Sequence, residues 1–323
     1  MKELIIQKND AGQRLDKYLS KALPAHPPAL MQKYIRLKRI KLGGKRAERD
    51  YRLREGDVLQ LYIGDEFFLP PDPDEAWRKA SPVLEIAYED DQVLIADKPV
   101  GLVVHEDEQG SADTLINRIK AYLYQKGEWD PESERSFVPA LCNRIDRNTG
   151  GLVVAAKTAE ALRVLNQKIK DREITKYYLC LVHGAPRPAA GTLKNYLKRD
   201  TDKKQVFVQQ RKTGDNLTAV LRYRTLEKRG DVSLVECELV TGRTHQIRAQ
   251  MQAAGWPLVG DTKYGTAAHN RGLPFAHQAL WSWRLRFDFT TPAGALEYLR
   301  GREVRAKDVP FLKFFRDLPK KSN

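Results

Sequence analysis

The segment Asn143-Arg144-Ile145-Asp146-Arg147-Asn148-Thr149-Gly150-Gly151-Leu152-Val153-Val154 places one carboxylate, Asp146, between two arginines. The apolar run that ends this segment and continues to Ala156 predicts a buried strand. The glycine pair before that run permits a tight turn and leaves room for a ligand to approach the backbone. We therefore expect Asp146 to lie on a loop at the mouth of a sheet, held by a rigid strand.

Two interpretations of this loop are open on spacing alone. A carboxylate close to cationic groups stays ionised and is available as a base or a nucleophile. The same pattern is also typical of a surface cluster of ion pairs that caps a turn. Short motifs often occur by chance, so spacing alone favours the surface cluster. The rest of the chain has to decide between them.

The composition indicates a polyanionic partner. The chain has 323 residues, enough for one large domain or two, with 41% hydrophobic and 30% charged residues. Its net charge of +14 and pI near 9.6 favour nucleic acid first and an anionic membrane second. We find no apolar run long enough to span a bilayer and no signal-peptide pattern at the N-terminus. We therefore expect a cytoplasmic protein, acting as a monomer.

Motifs for cofactors and metals are missing from the sequence. The three cysteines, Cys142, Cys180 and Cys237, form no C-x-x-C pair, and the six histidines lack metal-ligand spacing. There is also no phosphate-binding G-x-x-x-x-G-K and no dinucleotide-binding G-x-G-x-x-G. We expect neither a metal nor a small-molecule cofactor.

The first 63 residues form a basic module with two predicted helices and short strands. They carry 15 Lys and Arg against 7 Asp and Glu, a net charge of +8. One helix is predicted from about Leu15 to Leu23 and the other from about Pro28 to Leu37. The cations that we expect to track a phosphate backbone are Arg14, Arg36, Lys38, Arg39 and Lys41.

A proline-rich and acidic linker at residues 64–82 separates this module from a larger domain at residues 83–323. In that domain Val93–Ala96, Val103–His105, Lys176–Val182, Leu217–Glu227 and Val232–Val240 are predicted strands. The helices predicted there are Asp113–Tyr124, Thr158–Lys170 with Thr158 as N-cap, and one that Thr244 caps and Gly255 ends. The fold class is therefore α+β: a small α/β RNA-binding module and a larger, mainly antiparallel sheet with flanking helices.

Several of these segments resemble motifs of the RluA-type RNA pseudouridine synthases. The Asp146 segment resembles H-R-L-D-x-x-T-S-G-L, with Asn143 in place of the histidine and Gly150 in place of the serine. Residues 98–105 resemble K-P-x-G-x-x-V-H, residues 176–178 resemble K-x-Y, and residues 260–265 resemble G-D-x-x-Y-G. Residues 242–250 are similar to G-R-T-H-Q-I-R-x-H, with Gln250 as the departure. The basic module resembles an S4-type RNA-binding domain through R-L-D-x-x-L at residues 14–19 and G-D-x-[LIV] at residues 56–59.

The resemblance implies an activity and a role for each matching residue. The family isomerises uridine in RNA by breaking the C1′–N1 bond, rotating the base and joining C5 to C1′. Asp146 matches the catalytic aspartate, and Arg248 matches the arginine that pairs with it. Tyr178, with Lys176 in the same motif, matches the tyrosine that stacks on the target base. Arg144 matches the residue that fills the gap left by the extruded uridine.

Three alternatives remain beside a synthase acting on ribosomal RNA, the large subunit's above all. The first is a synthase acting on transfer RNA. The second is a catalytically inactive RNA-binding or ribosome-assembly factor on the same fold, which the departures at Asn143, Gly150 and Gln250 keep open. The third is a protein of anionic membranes, suggested by charge alone and disfavoured because no basic amphipathic helix is evident.

Overall fold

The N-terminal module is a four-stranded antiparallel sheet with two helices. In the computed structural model, residues 1–68, 75–106 and 110–320 are described. The centre of the predicted linker, residues 69–74, lies outside them. The elements of the module are β1 (Lys2–Ile5), α1 (Leu15–Ala22), α2 (Pro28–Arg36), β2 (Ile40–Leu42), β3 (Lys45–Arg46) and β4 (Val58–Leu61). The strand order is β1-β4-β2-β3, and one side of each helix packs into a shared apolar core.

The larger domain is built on an eleven-stranded sheet. Its strands are β5 (Ile86–Glu89), β6 (Val93–Lys98), β7 (Ala140–Leu141), β8 (Gly150–Ala156), β9 (Ile174–His183), β10 (Ala190–Asp200), β11 (Gln205–Gln209), β12 (Leu217–Arg229), β13 (Val232–Leu239), β14 (Leu280–Phe287) and β15 (Glu303–Arg305). The order is β11-β10-β12-β13-β9-β14-β8-β6-β5, with β7 beside β8 and β15 beside β14. The pairs are antiparallel except β8 with β14. This mixed sheet confirms the predicted fold class.

Helices cover both faces of this sheet. They are α3 (Leu115–Gln125), α4 (Ala159–Lys170), α5 (Gln246–Ala253), α6 (Ala267–Asn270) and α7 (Phe311–Asp317). Alternate residues of β8 explain why two faces exist: Val153 packs with α3 and Val154 with α4. Alternation in β9 likewise directs Tyr178 towards α5 and Leu179 towards α7. In the described ranges, no helix combines the length and apolar character that a bilayer crossing needs.

The predicted strand at Val103–His105 is wrong. Apart from an isolated bridge between Val103 and Thr114, no strand forms there. The physical reason is that the carbonyl oxygens of Val103 and Val104 accept hydrogen bonds from the amides of Leu115 and Ile116, at 2.8 and 3.2 Å. These carbonyls therefore serve the first turn of α3 instead of a sheet ladder.

The predicted cap of α5 is also wrong. The N-cap residue is His245, which has a left-handed backbone conformation with φ 52°. Its side chain accepts no capping hydrogen bond from the helix. The side chain of Gln246 instead organises the start, because its Oε1 accepts hydrogen bonds from the Thr241 hydroxyl and the Arg243 amide, at 2.8 and 3.1 Å. The prediction of Gly255 beyond the last turn is confirmed, with φ 89°.

Gly150 is packed directly against an aromatic ring. It pairs with Trp281 across the parallel contact of β8 and β14. A Cβ atom at Gly150 would lie 2.1 Å from the Trp281 ring. In this chain the Trp281 ring therefore leaves room only for glycine at position 150. The backbone near Asp146 accordingly forms without the serine of the family motif.

We expect Gly150→Ser to lower the free energy of unfolding by about 1–3 kcal/mol, the usual cost of overpacking. Urea denaturation followed by circular dichroism measures this. Adding Trp281→Leu should recover part of the loss, because the ring is what the new side chain meets. Gly214→Ala is the control, since nothing lies within 4 Å of a Cβ atom there. Unchanged stability of Gly150→Ser would contradict the packing argument.

Candidate active site

Asp146 lies on the loop between β7 and β8, as predicted. Its side chain is 26% exposed, so it is open to a ligand and still anchored. The loop turns back on itself through a hydrogen bond from the Thr149 amide to the Asp146 carbonyl, at 3.1 Å. Ile145, the preceding residue, packs into the apolar clusters beneath α3 and α5. A partly buried neighbour and a closed turn therefore fix the position of the carboxylate.

Arg248 joins two carboxylates. Its Nη1 is 3.2 Å from Oδ2 of Asp146. Its Nε and Nη2 donate to the two oxygens of Asp261, at 2.7 and 3.0 Å. Arg248 projects from α5, and its side chain is 8% exposed. The two carboxylates raise the pKa of Arg248 although burial acts to lower it. The guanidinium is therefore a fixed positive charge beside Asp146.

Asp261 is the buried anchor of this arrangement. Its side chain is fully buried. Burial acts to raise its pKa, but the bonds from Arg248 and from the amides of Lys263 and Tyr264 outweigh burial and lower it. The preceding residue, Gly260, has φ 76°, and a Cβ atom there would lie 2.2 Å from the carbonyl oxygen of His277. Glycine is thus what lets the chain deliver Asp261 to Arg248.

Lys98 ties the Asp146 loop to the neighbouring turn. Its amine is fully buried and donates to the carbonyl oxygens of Pro99, Leu102 and Arg147, at 2.8, 2.8 and 2.9 Å. Burial lowers the pKa of Lys98 to about 7, and the charge of Asp146 opposes this. Three carbonyl acceptors match the three N–H donors of the protonated amine. In that form Lys98 holds the carbonyl of the residue directly after Asp146.

Tyr178 lies on the same side of the sheet as α5, near enough to Asp146 for that charge to act on its hydroxyl. Burial raises the pKa of Tyr178, so its hydroxyl is protonated at neutral pH. Only 4% of its surface is exposed, and it belongs to the apolar cluster that includes Ile247 and Met251 of α5. Lys176 lies two residues earlier on the same face of β9, is half-buried, and has a pKa lowered by burial. No hydrogen-bond or ion-pair partner of Lys176 occurs in the part of the chain that the structure describes.

In the described ranges, the other predicted residues form no hydrogen bond or ion pair with Asp146, Arg248 or Asp261. Arg144 is exposed on the Asp146 loop. Arg36, Lys38 and Arg39 are exposed where α2 ends, and Lys41 is half-buried in β2 with its amine 5.0 Å from the Tyr62 ring centre.

Arg14 differs from these cations because it is already paired. Its guanidinium donates to both oxygens of Asp16, at 3.1 and 2.9 Å, and Arg49 binds the same carboxylate. Part of the charge of Arg14 is therefore neutralised within the module.

Sequence reasoning gave no role to Lys98, Asp261, His245 or Tyr264. Each lies in one of the segments that resemble family motifs, so the signal was present. Lys98 and His245 reach the Asp146 loop from distant parts of the chain, and Asp261 and Tyr264 contact Arg248 and His245. Over residues 1–68, 75–106 and 110–320, no group of three or more His, Cys, Asp or Glu side chains is placed to hold a metal ion.

The departures from the family motif leave this arrangement intact. Oδ1 of Asn143 accepts a hydrogen bond from the Val154 amide, at 2.8 Å, which fastens the start of the loop to β8. Gln250 donates to the Leu193 carbonyl, at 3.2 Å, on the side of β10. Among the hydrogen bonds of these two side chains in the described ranges, none goes to Asp146.

The larger domain thus combines a mixed sheet with a carboxylate–arginine pair, and a small basic module precedes it. Residues 92–253 match the family model described as RNA pseudouridylate synthase, and residues 13–59 match the S4 domain. The chain belongs to the RNA pseudouridylate synthase family.

Relatives and solved structures agree with this. An uncharacterised RNA pseudouridine synthase of Bacillus subtilis is 30% identical over 92% of each chain. Ribosomal large subunit pseudouridine synthase D of Nitrosomonas europaea is 29% identical over 99% of this chain and 89% of its own. Synthase C of Vibrio vulnificus is 31% identical over 89% of this chain and 88% of its own. The structure of human RNA pseudouridylate synthase domain containing 4 shares the fold, with a TM-score of 0.55 and 19% identity over 73% of this chain and 95% of its own.

We expect Asp261→Asn to lower the free energy of unfolding by about 3–5 kcal/mol at pH 7, because it leaves a buried guanidinium short of charge. The lowered pKa of Asp261 gives the contribution its pH dependence. It is complete above the ordinary carboxyl value of 3.8 and is lost as pH falls through the lower folded-state pKa.

Urea denaturation at pH 7 and at steps below pH 4 measures the difference between wild type and Asp261→Asn. Asp215→Asn is the control. Asp215 forms an ion pair with Lys198 in which the side chains are 64% and 48% exposed, respectively, so its loss should leave stability nearly unchanged. A difference that stays constant down to acid unfolding would show that the charge of Asp261 is not what stabilises the site.

Proposed function

We propose that Asp146 is the catalytic carboxylate of this RNA pseudouridine synthase. The observation that carries the proposal is its contact with Arg248, 3.2 Å away, in a partly exposed position. The guanidinium at that distance orients the carboxylate. An ionised carboxylate can act on the sugar in two ways, by addition to C1′ or by removing a proton to form a glycal. Both routes start from the same group in the same place.

The neighbouring residues supply what the reaction needs beside the carboxylate. Uridine has to leave its stack to reach Asp146, at a cost of a few kcal/mol. We assign Tyr178 as the surface for the extruded uracil and Lys176 as a donor at its edge. Stacking on an aromatic ring is worth on the order of 1–3 kcal/mol per base, which offsets part of that cost. Arg144, exposed on the same loop, fills the gap in the RNA.

The substrate that we propose is ribosomal RNA of the large subunit. Its support is that the relatives from Nitrosomonas and Vibrio are named ribosomal large subunit pseudouridine synthases, together with the net charge of +14. The cations at the end of α2 and the start of β2 give the RNA a sequence-independent grip, and the protein works as a monomer. In this proposal the basic module at residues 1–63 binds the RNA, and the synthase domain at residues 83–323 carries out the isomerisation.

Asp146→Asn and Asp146→Ala should each lower the rate of isomerisation by about 10⁴-fold or more, the scale of losing a principal catalytic group. The assay uses total RNA, labelled with tritium at uridine C5, from cells in which the gene is deleted, and measures tritium release. Separating ribosomal from transfer RNA beforehand identifies the substrate class. Asp215→Asn, an exposed carboxylate, is the control. Substantial release by either Asp146 variant would refute the proposed role.

Lys38→Ala/Arg39→Ala should weaken RNA binding and reduce the salt dependence. Neither side chain has a carboxylate partner in the described ranges, so both charges are available to phosphates. Losing two phosphate contacts makes the slope of log K against log salt shallower by about 1.5. Filter binding at several salt concentrations measures the slope. Arg163→Ala/Lys170→Ala removes the same charge from exposed positions on α4 and should leave the slope nearly unchanged. Equal effects of the two double variants would mean that only total charge matters.

A further inference from the structure

His245 holds an unusual backbone conformation beside Asp146. It is the N-cap of α5, with φ 52° and ψ 20°. Residues other than glycine rarely adopt this left-handed region, and such strain persists where the surrounding structure fixes the residue. The conformation aims the imidazole at the catalytic loop, so that Nε2 lies 3.9 Å from Oδ2 of Asp146. The side chain is 16% exposed.

A hydrogen-bond chain fixes which imidazole nitrogen carries the proton. The amide of Val206 in β11 donates to the hydroxyl oxygen of Tyr264, at 2.8 Å. Nδ1 of His245 lies 2.9 Å from the same oxygen. In the described ranges the hydroxyl proton of Tyr264 has no acceptor other than Nδ1 of His245. Tyr264 therefore donates to Nδ1, and a neutral imidazole must carry its own proton on Nε2, the nitrogen that faces Asp146.

The imidazole is neutral at physiological pH. Burial lowers the pKa of His245, and so do the charges of Arg248 and Lys263, while Asp146 and Asp261 act to raise it. Burial raises the pKa of Tyr264, so its hydroxyl keeps the proton that it donates. The same tautomer therefore holds over the neutral pH range.

Both donors around Asp146 face one oxygen. Arg248 approaches Oδ2 at 3.2 Å, and His245 faces Oδ2 as well. In the part of the chain that is described, Oδ1 of Asp146 accepts no hydrogen bond. The two oxygens of this carboxylate are thus unequal, because Arg248 and His245 both approach Oδ2.

We propose that His245 is a positioning residue, which donates its Nε2 proton to Oδ2 of Asp146 once RNA is bound and so presents Oδ1 to the sugar. This rests on the proposed catalytic role of Asp146. A hydrogen bond requires the 3.9 Å separation to shorten by about 1 Å, a tightening that catalytic contacts commonly undergo on substrate binding. The chain also links the carboxylate to β11, the edge strand that holds Val206.

Two substitutions at His245 test the roles of Nδ1 and Nε2 separately. In His245→Asn, the side-chain amide reaches the place of Nδ1 but not that of Nε2. In His245→Gln, the longer side chain can place an N–H near Nε2. We expect His245→Asn to slow single-turnover tritium release about 10- to 100-fold, the effect of losing a hydrogen bond to a charged group, with RNA affinity unchanged. His245→Gln should recover much of that rate.

Tyr264→Phe tests the hydrogen-bond chain. Without the hydroxyl the imidazole is free to place its proton on either nitrogen, so the single-turnover rate should fall. His245→Asn/Tyr264→Phe should be no slower than His245→Asn alone, because His245→Asn already removes the Nε2 donor that the Tyr264 hydroxyl positions. If the losses of rate add in the double variant, Tyr264 and His245 do not act through one hydrogen-bond chain.

The outcomes separate this inference from the proposed function. Release that persists in Asp146→Ala refutes the catalytic role and this inference with it. If Asp146→Ala is inactive and His245→Asn is as fast as wild type, the inference alone fails. Equal slowing by His245→Asn and His245→Gln also overturns it, because a purely structural role would not distinguish the two. Thermal unfolding of each variant shows whether the fold is kept.

Discussion

A single guanidinium shared between two carboxylates governs the geometry of this enzyme. Asp261 is fully buried, and a buried charge without a partner costs several kcal/mol. Arg248 meets that requirement with two hydrogen bonds and has one nitrogen left, which contacts Asp146. The position of the Asp146 carboxylate thus depends on the need to neutralise a second carboxylate, Asp261, which is fully buried.

The surrounding elements all serve that arrangement. The α5 helix delivers Arg248, the turn after Gly260 delivers Asp261, and Lys98 fastens the loop of Asp146 from the opposite side through the Arg147 carbonyl. Each of the three cationic or acidic groups is held by two or more contacts, so none depends on a long flexible side chain in water. Preorganised charge of this kind requires little rearrangement when a substrate enters.

The basic module and the synthase domain also contact each other directly. The buried carboxylate of Asp10 accepts a hydrogen bond from the Ser136 amide, at 3.2 Å, and Asn9 donates to Glu134, at 2.7 Å. Burial raises the pKa of Asp10, although Ser136 acts to lower it. These contacts join the basic module to the segment that precedes the Asp146 loop. The two domains are therefore connected by hydrogen bonds as well as by the polypeptide.

The sequence by itself determined the local elements and indicated the residues of the candidate site. Thr158 caps α4 with a hydrogen bond from the Ala161 amide, at 3.1 Å, as its position before a helical pattern predicts. The alternation in β9 placed Tyr178 and Lys176 on one face. These features depend on residues a few positions apart, so they can be read from periodicity. The order of the motifs then indicated Asp146 and Arg248.

Tertiary structure alone decided what could not be local. The hairpin of β10 and β11 escaped prediction because most of its side chains meet solvent, which removes the apolar signal of a strand. The strand expected at Val103 failed because its carbonyl turns to α3, and the strain of His245 is visible only in the folded backbone. Arg248 reaches Asp146 from 102 positions along the chain. Hydrogen bonds and charge pairs over such separations exist only once the sheet has formed, and they are what turn the motifs into a site.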